Sequence, residues 1–296
     1  MMKIRFPFLG VLIILATLVI QSGCTKNPFG TDKISASDEI KGTLILKDGA
    51  SPDSVFVWLQ GLNMKTWTDK NGEFKIKLPS LKSQGGAGLT GSYHLYFYVM
   101  NYRIDSALVV LRNGRLEYSH GDIDDEGNVK EPKTLIKILD VQTDIDPPDF
   151  PQPTTLDWWE YEEVIDVEVT LKATTADDIT AKFSSFTKGT ASIVFIKRID
   201  PKQDFLKIIE LTPIASHDSL VQFNITADPV KWMAGFKVMI GDLPVGKYKI
   251  IPYFLIEQEN IPSELIESLG EEMFKPTAKY LSLPFRRQDG DFLVKK

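Results

Sequence analysis

Hydrophobic and polar residues alternate along the first half of the chain with the period of two that is typical of β-strands. The alternation is clearest over 39–46 and 74–78, and over 55–60 it takes the form of Val55, Val57 and Leu59 alternating with Phe56, Trp58 and Gln60. Asp-Gly at 48–49 and Asn-Gly at 71–72 separate these runs, and glycine accepts the positive backbone angles that tight turns need. Strands rich in β-branched and aromatic residues between such turns predict an antiparallel sheet.

The same period returns in the second half, where apolar residues at 165, 167, 169 and 171 alternate with polar ones. Further short strands are predicted over 191–199, 205–211, 220–226, 235–240, 247–255 and 280–285. Repeated short strands with turn signals between them predict a second sandwich. The expected fold class is therefore all-β, with two β-sandwich domains in tandem, transthyretin-like and then Ig-like.

One short helix is expected near the C-terminus, with Ser263 as its N-cap and its end near Phe274. Apolar residues form a stripe along one side of it, at Leu265, Ile266, Leu269 and Met273. We interpret this stripe as core packing, with docking of a partner protein as the alternative.

Residues 140–153 interrupt the strand pattern with four prolines and four acidic residues. This composition opposes a helix and predicts an extended, fairly stiff linker. The expected organisation is a signal peptide at 1–23, a tether at 24–37, a first β-sandwich at 38–141, a linker at 142–157 and a second β-sandwich at 158–296.

The N-terminal segment has the order of a secretory signal. Lys3 and Arg5 precede an apolar run over 8–20 that is short for a membrane span. Ser-Gly at 22–23 then leads to Cys24, the only cysteine of the chain.

This ending resembles the lipobox of bacterial lipoproteins, in which the signal is cleaved before the cysteine and the thiol receives a diacylglycerol. That family usually has leucine three residues before the cysteine, where this chain has Gln21. An uncleaved anchor helix and a plain signal with a free cysteine are the alternatives. The resemblance implies lipidation of Cys24 and a stable membrane anchor. Because Thr25 follows, rather than the aspartate of the enterobacterial retention pattern, we expect the bacterial outer membrane.

Composition narrows the functional classes. The chain has 296 residues, 43% of them apolar, with 34 basic and 40 acidic side chains. Removal of 1–23 would take away two basic residues and change the net charge from −6 to −8. An acidic body argues against non-specific nucleic-acid binding, and a single cysteine allows no internal disulfide.

A family resemblance covers the first domain and is strongest in its first 45 or so residues. It rests on Ile40-Lys41-Gly42-Thr43, Asp48-Gly49, Val55-Phe56-Val57, and Thr68-Asp69 with Gly72 and Phe74. This pattern resembles the carboxypeptidase regulatory-like domain, a seven-stranded transthyretin-like sandwich. The resemblance implies a spacer or binding platform. It does not imply peptidase activity, because none of the three histidines is followed three residues later by glutamate, as a zinc site of that kind would need.

The densest acidic segment lies at 119–128. Asp122, Asp124 and Glu126, followed by Gly127, are similar to the start of a calcium loop. Lys133 occupies the position of the closing acid, so we favour a solvated hairpin turn over a metal site.

Aromatic residues offer the other candidate site. Trp158 and Trp159 follow the linker, and at most one of them can point inward if they lie on a strand. We expect them to cover the interdomain joint, with stacking on a sugar as the alternative. Trp58 and Trp67 could supply further stacking surfaces.

The segment 217–219, His-Asp-Ser, contains the residue types of a hydrolytic triad, but adjacency in sequence does not give triad geometry. The sequence thus indicates a non-enzymatic, lipid-anchored envelope protein that binds or scaffolds, without a cofactor. Its expected partners are the membrane and either another envelope protein or a glycan. A carbohydrate-binding surface protein is the alternative, and a hydrolase is the third class.

Overall fold

The computed structural model describes residues 33–84, 88–151, 164–177, 179–183, 193–199, 206–210, 221–237 and 243–296. Its first-half strands are β1 (Glu39–Leu46), β2 (Phe56–Leu59), β3 (Met64–Trp67), β4 (Glu73–Lys77), β5 (Gly91–Tyr98), β6 (Asp105–Arg112), β7 (Arg115–Glu117) and β8 (Lys133–Leu135). They form a three-stranded sheet in the order β4-β1-β8 and a five-stranded sheet in the order β3-β2-β5-β6-β7. Apolar side chains of both sheets meet in one core between them, which confirms the predicted first sandwich.

The Asn-Gly turn at 71–72 connects the two sheets of this sandwich. Gly72 has a φ of +79°, and an added Cβ would lie 2.2 Å from the carbonyl oxygen of Leu44, so only glycine fits. The carboxylate of Asp69 accepts hydrogen bonds from the backbone N–H groups of Asn71 and Glu73, at 2.9 Å each. The turn joins β3, which pairs with β2, to β4, which pairs with β1, so it is a corner between sheets.

The remaining strands are β9 (Leu139–Asp146), β10 (Asp149–Pro151), β11 (Val164–Ala173), β12 (Ile179–Phe183), β13 (Ile193–Arg198), β14 (Leu206–Glu210), β15 (Val221–Ile225), β16 (Val230–Lys237), β17 (Gly246–Pro252), β18 (Leu255–Glu257) and β19 (Gly290–Lys295). A five-stranded sheet runs β10-β19-β17-β13-β14, and two three-stranded sheets run β16-β11-β9 and β15-β12-β18. The described residues thus confirm the all-β class and the tandem of β-sandwiches.

Two strand predictions of the second half need correction. The segment 280–285 is not a strand: Ala278–Ser282 is a 3₁₀ turn, and the last strand of the described residues is β19. Tyr280, Leu283 and Phe285 are buried, which explains the apolar pattern, but Pro284 lacks the N–H that a central ladder requires. The strand predicted over 235–240 begins earlier, as β16.

The linker prediction is wrong for residues 142–151. β9 continues through residue 146 and pairs antiparallel with β11 over eight residues. β10 then pairs in parallel with β19. The segment is extended, as its composition predicted, but alternate side chains such as Val141 and Thr143 are buried. Its acidic residues occupy the exposed side of a strand, so their number did not indicate a free connection.

The C-terminal helix, α1 (Ser263–Leu269), is shorter than predicted. Pro262 occupies the N-cap position without a side-chain cap bond, so Ser263 is the first helical residue and not the cap. Gly270, at φ +104°, ends the helix and donates its N–H to the carbonyl of Ile266 at 3.0 Å. Leu265 and Leu269 are buried in the large hydrophobic cluster, which confirms core packing for the stripe. No helix of the described ranges has the length and apolarity needed to cross a membrane.

Candidate functional site

The outer face of the five-stranded sheet in the first half carries a row of aromatic side chains. β2 lies between β3 and β5 in this sheet and all four of its residues are buried, so both of its faces are covered. Val57 points into the first sandwich. Phe56, Trp58 and Tyr98 belong instead to the hydrophobic cluster formed by the second half of the chain. This face is therefore the joint between the two halves.

Asn101 holds the joint together by hydrogen bonds. It is fully buried, and its Nδ2 donates to the carbonyls of Leu139, at 3.0 Å, and Arg286, at 2.6 Å. Its Oδ1 accepts the backbone N–H of Arg286 at 3.0 Å. One amide side chain thus binds the start of β9 and the segment before β19, two regions that are distant in sequence. A buried amide with these partners orders the backbone on both sides of the joint.

Further polar contacts connect the two halves across the joint. Gln258 donates from Nε2 to the carbonyl of Met100 at 2.7 Å and accepts the backbone N–H of Ile104 at 3.1 Å. Lys65 donates to the carbonyl of Ser268 at the end of α1, at 2.5 Å. The guanidinium of Arg286 donates to backbone carbonyls in the loop between β1 and β2, and its burial lowers its pKa.

A charged corner lies beside the joint. The hydroxyl of Tyr102 donates to the carboxylate of Asp48 at 2.8 Å, and Lys137 Nζ lies 2.6 Å from that carboxylate. Burial by itself would raise the pKa of Asp48, but the hydrogen bonds from Lys137 and Tyr102 outweigh it and lower the pKa below the ordinary 3.8. Burial, with the hydrogen bond to the Asp48 carboxylate, raises the pKa of Tyr102 far above its usual value, so the phenol stays protonated.

A cavity of about 840 Å³ opens at one side of the joint. Arg103 spans it to Asp177, with Nη2 2.7 Å from Oδ2. Gln258, Glu257 and Glu259 line the other side. The walls come from both halves of the chain, so the cavity exists only in the assembled joint.

A second groove, of about 640 Å³, lies on the first sandwich away from that cavity. β1, the end of β3, the start of β4 and the loop over 128–132 line it. Trp67 borders it with 39% of its surface exposed, and its ring centroid is 4.9 Å from that of Phe56. Trp58, in contrast, is 2% exposed and donates its indole N–H to Asn63. The sequence left Trp58 open as a stacking surface for a ligand. Its burial rules out that role.

The acidic segment forms a hydrogen-bonded turn. Asp124 Oδ1 accepts the backbone N–H groups of Glu126 and Asn128 at 2.9 and 2.7 Å, and these bonds help to lower the pKa of Asp124 against the opposing effect of burial. The carboxylate of Asp122 accepts the backbone N–H of Leu108. Within the described ranges, no group of three His, Cys, Asp or Glu side chains is arranged to hold a metal ion.

One cluster of chemically active residue types was missed by the sequence analysis. Ser119 donates to the carboxylate of Glu117, and His120 Nδ1 lies 2.9 Å from the serine Oγ and 3.1 Å from Glu117 Oε2. A hydrolytic triad uses one imidazole nitrogen for the acid and the other for the serine, whereas here Nδ1 contacts both. The arrangement therefore lacks triad geometry. The spacing Glu-x-Ser-His at 117–120 was the available signal in the sequence.

Several sequence-predicted site residues lie outside the described residues. These are Cys24, Trp158 and Trp159, and the segment 217–219. Their predicted roles remain predictions.

No protein-family model matches the chain, and no curated protein matches it. Among solved structures, the chain aligns with BcpA, the major pilin subunit of Bacillus cereus, at 11% identity and a TM-score of 0.25, over 74% of this chain and 66% of that one. It also aligns with the Bacillus anthracis TIE protein at 9% identity and a TM-score of 0.22, over 75% of this chain and 48% of that one. The chain spans just under two thirds of the pilin and about half of the other protein. Similarities this low do not identify a family or a function.

Proposed function

We propose that the protein is a non-catalytic scaffold or binding protein of the bacterial cell envelope, anchored through lipid on Cys24, in which the two sandwiches form one rigid unit. The observation that carries the proposal is the joint. Its aromatic face, together with Asn101, is buried between the halves as completely as an ordinary core. A continuous core opposes independent motion of two domains, because separating them would expose apolar surface and unpaired backbone groups.

Rigidity suits a structural role at a membrane surface. A lipid anchor fixes only one end of a protein, so a jointed chain would sample many positions above the membrane. A continuous unit would hold its two ends at a set distance and orientation relative to each other. The acidic charge of the chain also favours a soluble, well-hydrated body above the lipid.

The chemistry of the described polar clusters supports a non-catalytic role. The carboxylates of Asp48 and Asp124 are occupied by hydrogen bonds within the protein. The cluster of Glu117, Ser119 and His120 lacks the geometry of a hydrolytic triad, as its single contacting nitrogen shows. The resemblance to the carboxypeptidase regulatory-like domain implies the same kind of role.

Metabolic labelling tests the anchor. The full chain and a Cys24→Ser variant would be expressed in a Gram-negative host with an alkyne fatty acid, and the outer membrane separated by density. We expect label and outer-membrane fractionation for the parent chain and neither for the variant. A variant that keeps both would refute lipidation at Cys24. A cross-linking search on intact cells would then ask whether one envelope protein is repeatedly captured, as a scaffold requires.

A further inference from the structure

The geometry points to the groove beside Trp67 as a binding subsite for a neutral polysaccharide. This inference goes beyond the proposed scaffold role and does not depend on the lipid anchor. Four features carry it: an exposed indole held in a fixed position, a groove of suitable size, balanced charge around it, and polar groups of both donor and acceptor type.

The indole of Trp67 is exposed but fixed. β3 is the edge strand of its sheet, and its backbone is paired with β2, with Trp67 opposite Phe56. The Phe56 ring is itself buried and supports the indole at a centroid distance of 4.9 Å and an angle of 55°. Rigid aromatic faces bind the C–H surface of a sugar ring, because those hydrogens carry partial positive charge and the ring face is negative. None of the described residues accepts a hydrogen bond from the Trp67 indole N–H, which is left for a ligand hydroxyl.

The groove has the volume of a small-molecule site, about 640 Å³. Glycine at position 42 lets two of the lining side chains pack closely against β1. A Cβ added to Gly42 would lie 2.8 Å from the ring of Phe74 and 3.1 Å from Val129, so these side chains lie directly against the backbone of β1. Thr43 and Thr66 line the walls on either side.

The residues that line the groove carry equal numbers of positive and negative charges. Lys41 and Lys75 contribute two positive groups, and Asp69 and Glu73 contribute two negative ones. Lys75 is already paired with Glu39, Nζ to Oε1 at 2.7 Å. A strongly charged polymer would meet as much repulsion as attraction here, whereas a neutral polyhydroxylated chain can use both signs through hydrogen bonds. Threonine hydroxyls and the Asn128 amide add groups of both types.

Affinity gel electrophoresis with the full chain in a sugar-free detergent tests the subsite. The gels would contain laminarin, α-mannan or dextran as neutral polymers, and alginate as a charged one. We expect retardation by at least one neutral polymer, with an apparent dissociation constant about tenfold larger for Trp67→Ala. Trp67→Tyr should keep most of the affinity. Met233→Ala is the matched control, since Met233 is an exposed apolar residue in the second half, at 49%.

A second variant separates binding from folding. Thr43→Arg leaves Trp67 in place and fills the groove, so it should abolish retardation while the thermal unfolding curve stays that of a folded protein. Three results would overturn the inference: no retardation by any of the neutral polymers, retardation by alginate alone, or equal retardation of the parent chain and Trp67→Ala. Retardation that persists in Cys24→Ser shows that polysaccharide binding does not depend on the lipid anchor, so the subsite can be correct even if the anchor proposal fails.

Discussion

Trp58 and Trp67 lie on the same face of one sheet, on neighbouring strands, yet they serve different regions of the molecule. The C-terminal part of the chain covers Trp58 at the joint, whereas Trp67 lies at the edge of the sheet beside an open groove. The local sequence does not distinguish the two residues, because each is an aromatic residue in a predicted strand. What differs is the distant segment that covers one and leaves the other exposed. The comparison shows that the position of an aromatic residue in the sheet decides whether it stabilises the fold or remains available to a ligand.

The largest expected effect is that of removing Trp58. Trp58→Ala should lower the free energy of unfolding by about 3–5 kcal/mol, because it leaves a cavity in a fully covered core and an unpaired Asn63. Urea unfolding followed by circular dichroism measures this. Trp58→Phe, which keeps an aromatic ring, should lose clearly less. A loss for Trp58→Ala no greater than that of Trp67→Ala would contradict the view that the joint is a core.

Breaking the polar centre of the joint comes next. Asn101→Ala should cost about 2–3 kcal/mol, because the carbonyls of Leu139 and Arg286 and the Arg286 N–H all lose a buried partner. We also expect one unfolding transition to separate into two, since the halves would no longer unfold as a unit. Differential scanning calorimetry detects both changes. Gln142→Ala, an exposed change on β9, is the control and should keep a single transition.

Trp67→Ala should have a smaller effect on stability, about 1–2 kcal/mol. The side chain is partly exposed and loses mainly its contact with Phe56. Urea unfolding under the same conditions as for Trp58→Ala gives a direct comparison of the two positions. An equal loss in the free energy of unfolding at the two positions would contradict the view that Trp67, unlike Trp58, contributes little to the core.

The smallest effect concerns pH. The folded pKa of Asp48 is lowered, so the stability it provides is complete above the ordinary pKa of 3.8 and is lost as the pH falls through the lower, folded value. Asp48→Asn should therefore cost about 1 kcal/mol near pH 6 and progressively less as the pH falls and the parent carboxylate becomes protonated as well. Unfolding by urea over a series of falling pH values measures the difference. Asp228→Asn, a substitution at an exposed turn, is measured alongside as the control.

Much of the fold could be predicted from local patterns. The alternation over 39–46 and 165–171 predicted strands that the structure contains as β1 and β11. The prediction failed around Tyr280, where buried apolar residues do not pair with a neighbouring strand. It also failed in β9, where acidic residues on one side of a strand resembled a linker. In both cases composition reports burial or exposure, but not the hydrogen-bond partner that defines a strand.

The candidate sites were less predictable. The continuous apolar run of β2 was a signal that both faces of that strand are covered, since a half-exposed strand would alternate. Nothing near Asn101 in the sequence indicates that it binds residues 38 and 185 positions away. The opening in front of Trp67 likewise depends on how two sheets meet at a corner.

The sequence by itself determined the all-β class, the positions of most strands and turns, and the acidic charge, and it predicts an N-terminal lipid anchor. These properties follow from residues close together in the chain, because strand periodicity and turn geometry are local. Only the tertiary structure decided that the outer face of the first sandwich is buried at a joint, and that Trp67 is left at its rim. Those outcomes depend on contacts between distant segments, and a period of two defines the two faces of a strand without specifying what covers each of them.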